Sequence, residues 1–113
     1  MKIAALRRLA TLSCVGALLW APSAWAEAVR GTIVQTQGHI SPSCRTVVLK
    51  RKDTDAPMSF RILQTGTEDG VLSVTLTALT TGREVEIYYT PGNTSGCGTE
   101  PRIEFITIYA QGN

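Results

Sequence analysis

Cys44 and Cys97 constrain this chain more than any other feature, because the residues before them read as an export leader. Lys2, Arg7 and Arg8 give a basic start, residues 9–20 are apolar, and Ala24-Trp25-Ala26 supplies an A-x-A cleavage site. The expectation is a secretory signal peptide over residues 1–26, cut after Ala26, with one folded domain over 27–113. A spanning helix needs ~20 apolar residues, more than this run holds, so no membrane span is expected. Cys14 lacks a lipidation context, since Thr11 stands where leucine is required. Cys14 leaves with the leader. The remaining pair enters an oxidising compartment, periplasmic or secreted, where cysteines are joined to each other. An intermolecular bridge and a metal site are the alternatives, but one His and two distant Cys match no zinc spacing. A Cys44–Cys97 disulfide is therefore expected. In the chain-entropy view it stabilises by about 4 kcal/mol, comparable with the net stability of a small domain.

Removing the first 26 of 113 residues leaves 87, enough for one domain. It also removes three basic residues, so 8 face 9 acidic ones and the formal charge moves from +2 to −1. Such a balance does not favour nucleic acid or an anionic membrane as partner.

Residues 82–109 read as strand, glycine-rich loop, strand. Glu84-Val85-Glu86-Ile87-Tyr88 alternates polar and apolar, as does Arg102-Ile103-Glu104-Phe105, with Ile106, Ile108 and Tyr109 extending the run. Pro91-Gly92-Asn93 and Gly96-Cys97-Gly98 between them are turn chemistry. Three earlier strands are expected over residues 29–40, 44–50 and 59–63, rich in β-branched residues. Lys50, Arg51 and Lys52 lie beside Asp53 and Asp55, which reads as a solvated hairpin turn rather than a phosphate-binding patch.

Residues 71–81 admit two readings. Leu72, Val74, Leu76 and Ala78 alternate as in a strand, and the threonines lower helix propensity. Val71, Leu72, Leu76 and Leu79 instead form one helical face, with Thr67 or Asp69 as a cap and Gly82 as the stop. With the helix, the order is β-β-β-α-β-β, the connectivity of a mainly β, five-stranded OB-fold barrel. A sandwich of six short strands is the other fold. The barrel carries a corollary: OB ligands contact the strand 2–3 face and the 1–2 and 4–5 loops; Cys44 closes the first of those loops and Cys97 sits in the second.

The Thr81-Gly82-Arg83-Glu84 step and the string Val85-Glu86-Ile87-Tyr88-Tyr89-Thr90-Pro91-Gly92, followed by a cysteine loop and a last strand, resemble the B subunit of subtilase cytotoxin and similar small secreted bacterial proteins. The resemblance implies the helix, the OB fold, a ring-shaped homopentamer and recognition of a cell-surface glycan. The chain is shorter than the toxin subunit, and no sugar-holding residue of that family is matched here.

Chemistry for catalysis is thin. His39 with Ser41 or Ser43 and Asp53 or Asp55 can be counted as a set, but a solvated histidine is the plainer reading, so no enzyme is expected. Gly92-Asn93-Thr94-Ser95-Gly96-Cys97-Gly98 lacks the lysine and helix of a phosphate loop. No motif asks for a cofactor or metal. Tyr88 and Tyr89 are adjacent in a strand and face opposite sides. An exposed one could stack on a sugar ring. The ligand-binding candidates are Tyr89, Asn93, Thr94, Ser95 and Thr99, where the loop over residues 91–101 meets that over 39–44. The function expected is a secreted binding module of toxin-B type for a cell-surface glycan or protein. The alternative is a periplasmic structural or inhibitory protein acting through its loops.

Overall fold

The computed structural model describes residues 25–41 and 43–111, so the expected leader falls almost wholly outside the described residues. The chain forms β1 (Glu27–Ile40), β2 (Ser43–Arg51), β3 (Pro57–Ile62), α1 (Asp69–Thr81) after a 3-10 turn Gly66–Glu68, β4 (Glu84–Tyr89) and β5 (Phe105–Ile108). The strands make one antiparallel sheet in the order β3-β2-β1-β4-β5. This is the expected β-β-β-α-β-β order with the helix in the OB position, not a six-stranded sandwich. No helix among the described residues is long and apolar enough to cross a membrane.

Period-two alternation builds the core. Val85, Ile87 and Tyr89 of β4 point inward while Glu84, Glu86 and Tyr88 point outward. Val29 and Ile33, Val47 and Leu49, and Phe60 and Ile62 do the same for β1, β2 and β3. Ile103 and Ala78 complete the cluster.

The sheet is not closed, so the expected five-stranded barrel holds only in a loose sense. Among the described residues its edge strands, β3 and β5, do not pair with each other; the segment just before β5 meets β3 at a parallel bridge between Arg61 and Arg102. There the Pro101 carbonyl accepts from Arg61 N–H at 3.0 Å, and the Arg61 carbonyl accepts from Ile103 N–H at 2.9 Å. The cause is a break in parity. The alternation from Arg102 onward would bury Ile103 and Phe105 together. Ile103 is fully buried, but Phe105 is 57% exposed and Ile106 and Ile108 pack toward the core instead. One strand was expected; the chain instead spends Arg102 and Ile103 on β3, then starts β5 on β4 at Phe105.

The helix is confirmed, and it begins two residues earlier than expected. Neither expected residue caps it with a side chain: Glu68 is the N-cap and makes no such bond. Gly82 ends it with φ 70°, its N–H bonded to the Ala78 carbonyl at 2.9 Å. Its buried centre is Thr75 and Ala78, flanked by half-buried Val71, Leu72 and Leu79. Leu76, expected on this face, is 45% exposed, and Val74, expected outward in a helix, is half-buried. At ~100° per residue, Leu76 lies about 130° from the middle of the stripe set by Val71, Thr75 and Ala78. The Thr75 hydroxyl donates to the Val71 carbonyl at 2.9 Å, so its burial leaves no unpaired polar atom.

Candidate functional site

The disulfide forms as expected, joining Cys44 to Cys97 with Cα atoms 6.1 Å apart. The long connection from β4 to β5 reaches Cys44 because it doubles back on itself. Thr94 and Pro101 form an antiparallel bridge, and the Asn93 carbonyl accepts from Arg102 N–H at 2.8 Å. Gly96 and Gly98, either side of Cys97, take φ of 87° and 117°, which turns the chain at the tip.

This loop lies along the outer face of β1, β2 and β3. The register sets His39 opposite Cys44, and Thr46 opposite both Gln37 and Arg61. In β3, Phe60 and Ile62 face the core, so Arg61 faces out. Its guanidinium donates to Thr46 Oγ1 and, at 3.3 Å, to Glu100 Oε2, fastening the loop to the sheet. The Glu100 backbone N–H and then Arg61 hold that carboxyl below its ordinary range. Between loop and sheet is an open groove of about 380 Å³, lined by His39, Cys44, Arg61, Gly96 and Cys97.

The five candidate residues separate. Tyr89 is no exposed platform: it faces the core, its ring edge-on to Phe60 with centroids 5.2 Å apart. Its hydroxyl donates to Glu27 Oε2 at 3.0 Å, and burial, then Glu27, raises its pKa. The Val85-Ile87-Tyr89 parity made this legible. Asn93 is exposed, but its amide donates to Glu104 Oε2 at 2.8 Å, which holds the loop's base. The half-buried Ser95 accepts from Cys97 N–H at 3.3 Å and shapes the tip. Thr94 and Thr99 are exposed. Sequence reasoning missed the groove's polar lining, His39 and Arg61. The signal for Arg61 was present, as the one cation of β3, set between the core residues Phe60 and Ile62.

The countable catalytic set is not assembled. Ser43 opens β2 while Asp53 and Asp55 lie in the turn beyond its far end, a strand length of roughly 26 Å away at 3.3 Å per residue. The turn cations are paired locally: Arg51 with Asp53 at 2.9 Å, Lys52 with Glu84 at 2.9 Å and Lys50 with Asp55 at 3.9 Å. That fits a solvated turn.

A second outer face, on β1, β4 and β5, carries aromatic side chains. The Arg30 guanidinium stacks 4.0 Å from the Tyr109 ring centroid. The Glu86 carboxylate accepts from the Tyr88 hydroxyl and, at 3.2 Å, from that of Tyr109. Phe105 packs edge-on to Tyr88 at 5.1 Å. Tyr88, not Tyr89, is thus the outward member of the pair. The polar tips here bond to one another, which leaves them little capacity for a hydroxylated ligand.

Compared with known proteins, the chain matches no family model and no curated protein.

Proposed function

We propose that this chain is an exported binding module, of the kind the toxin B subunits exemplify, and that its partner is a cell-surface glycan or a polar protein surface. One observation carries the reading. The Cys44–Cys97 bridge ties the long β4–β5 loop to the start of β2, beside the short β1–β2 connection and above the outer face of β1–β3, with an open groove between loop and sheet. OB-type domains take ligands on this face and these loops, and loops fixed in advance lose less entropy on binding. The lining supports polar recognition. His39 and Arg61 are planar groups with several nitrogens, and Thr94 and Thr99 add short hydroxyl side chains on the exposed loop.

The test is a glycan array and intact-cell binding with the purified protein. His39→Ala combined with Thr99→Ala alters two exposed side chains and should weaken binding by at least about tenfold with the melting temperature unchanged. Binding that survives this change but is lost on altering Lys52 and Asp53 would move the site to the opposite end of β2. Export has its own check. Mass spectrometry of protein recovered outside the cytoplasm should give a chain starting at Glu27, and an intact leader would remove the exported part of the proposal.

A further inference from the structure

β1 is much longer than the strand beside it on one side. It pairs with β2 from Gly31 to Ile40, but with β4 only from Glu27 as far as Thr32. Beyond the irregularity between Ile33 and Gln35, the outer edge of β1 has no strand partner among the described residues. Among the described residues, no other segment hydrogen-bonds to the backbone of residues 35–40 on that side. Those residues are exposed apart from half-buried Thr36. A free strand edge is a template for another strand, and proteins normally blunt it with charge, proline or a covering element. Residues 34–40, Val-Gln-Thr-Gln-Gly-His-Ile, hold no Asp, Glu, Lys, Arg or Pro. The edge is also stiffened: β2 backs it throughout, and the disulfide at Cys44 anchors β2 at the position paired with His39.

We infer that this edge is a docking site for a second copy of the chain, joined antiparallel through the same residues across a two-fold axis. The occupant is argued from the segment's own pattern. Antiparallel pairing centred on Gln37 sets Gln37 opposite itself and Val34 opposite Ile40 of the other copy. Val34 is 50% and Ile40 is 97% exposed, so the pairing covers two of the largest uncovered aliphatic side chains, twice per dimer. No like charges meet anywhere along it, and the partner strand supplies the backbone donors and acceptors that the edge lacks. An isologous contact of this kind closes on itself. The inference does not rest on the proposed ligand.

Sedimentation and light scattering of the purified protein across a concentration series provide the test. The unchanged protein should be a dimer. Gln37→Lys places two lysines face to face across the axis and should weaken dimerisation by at least about tenfold. Gln37→Glu should do the same. Mixing the two variants should restore a dimer, because opposite charges then face each other at the axis. Circular dichroism should show both variants folded, since Gln37 is exposed. A monomer at the highest soluble concentration would overturn the inference. So would a dimer or ring that persists in Gln37→Lys, or variants whose mixture stays monomeric.

Discussion

Gly31 shows what a single position can hide. It is buried in β1, flanked by Arg51 of β2 and Val85 of β4. A Cβ built there would sit 2.0 Å from the Lys50 carbonyl oxygen and 3.1 Å from the Leu49 Cγ. The obstacle is backbone, which cannot rotate away as a side chain would. Gly31→Ala should therefore destabilise by at least the usual overpacking cost of about 1–3 kcal/mol, lowering the melting temperature by about 4–24 °C. Gly38→Ala, on the free arm with nothing within 4 Å of the added carbon, serves as the control and should change it little. A small effect at Gly31 would mean that β1 and β2 do not approach this closely. In the sequence Gly31 merely precedes a β-branched run. The close approach depends on a strand twenty residues away, so nothing local announces it. Tyr89 is the contrary case: its position follows from parity with Val85 and Ile87, and only the expected loop chemistry argued for placing it outside.

At the level of elements, the strand pattern was legible because burial on one face imposes a period of two. β1 to β4 appear within two residues of where the alternation puts them. The helix was less legible. Its contact stripe is built on Thr75 and Ala78, residues whose side chains carry little apolar signal, while the more hydrophobic Leu76 points away. A helix lying close on a sheet requires small side chains at the contact, and hydrophobic periodicity does not register them. The two substitutions that separate these readings are Ala78→Lys and Leu76→Lys. The first forces a charge into a site with no exposure and should unfold the domain. The second replaces a half-exposed side chain and should stay within about 1 kcal/mol of the parent in chemical denaturation. Equal damage from both would mean that the helix packs on the stripe centred at Leu76. The last strand was misread for a related reason. The alternation of Arg102 to Phe105 is real, but the chain changes neighbour within it, from β3 to β4, and a change of partner leaves no mark on a local pattern.

For the whole molecule the disulfide was the surest reading, because only two cysteines remain once a leader is removed. What it does in the fold was visible only in outline. It closes the β4–β5 loop over the β2–β3 face, where the sheet itself fails to close. Two carboxylates assist. Glu100 accepts from Arg61, and Glu104 accepts from Asn93 at 2.8 Å. The Glu104 carboxyl is lowered first by Asn93, and that of Glu100 by its own backbone N–H and then Arg61. Both folded-state values lie below the unfolded ones. Their contribution is therefore present above the ordinary carboxylate range and is lost as the pH falls through the lowered values. Cys97→Ser should lower the melting temperature by well over about 10 °C, since about 4 kcal/mol of chain-entropy stabilisation is removed and each 1 kcal/mol shifts a domain of this size by roughly 4–8 °C. At neutral pH the loop of the variant should still dock, held by Arg61, Asn93 and the buried Ile103. Once the pH has fallen through those lowered values the carboxylates are neutral, and in the variant no covalent tie replaces them. The amides of Arg102 and Ile103, bonded to the Asn93 and Arg61 carbonyls, should then lose hydrogen-exchange protection in the variant while keeping it in the oxidised parent. Protection that disappears equally in both proteins would show that the bridge does not hold this loop against the sheet.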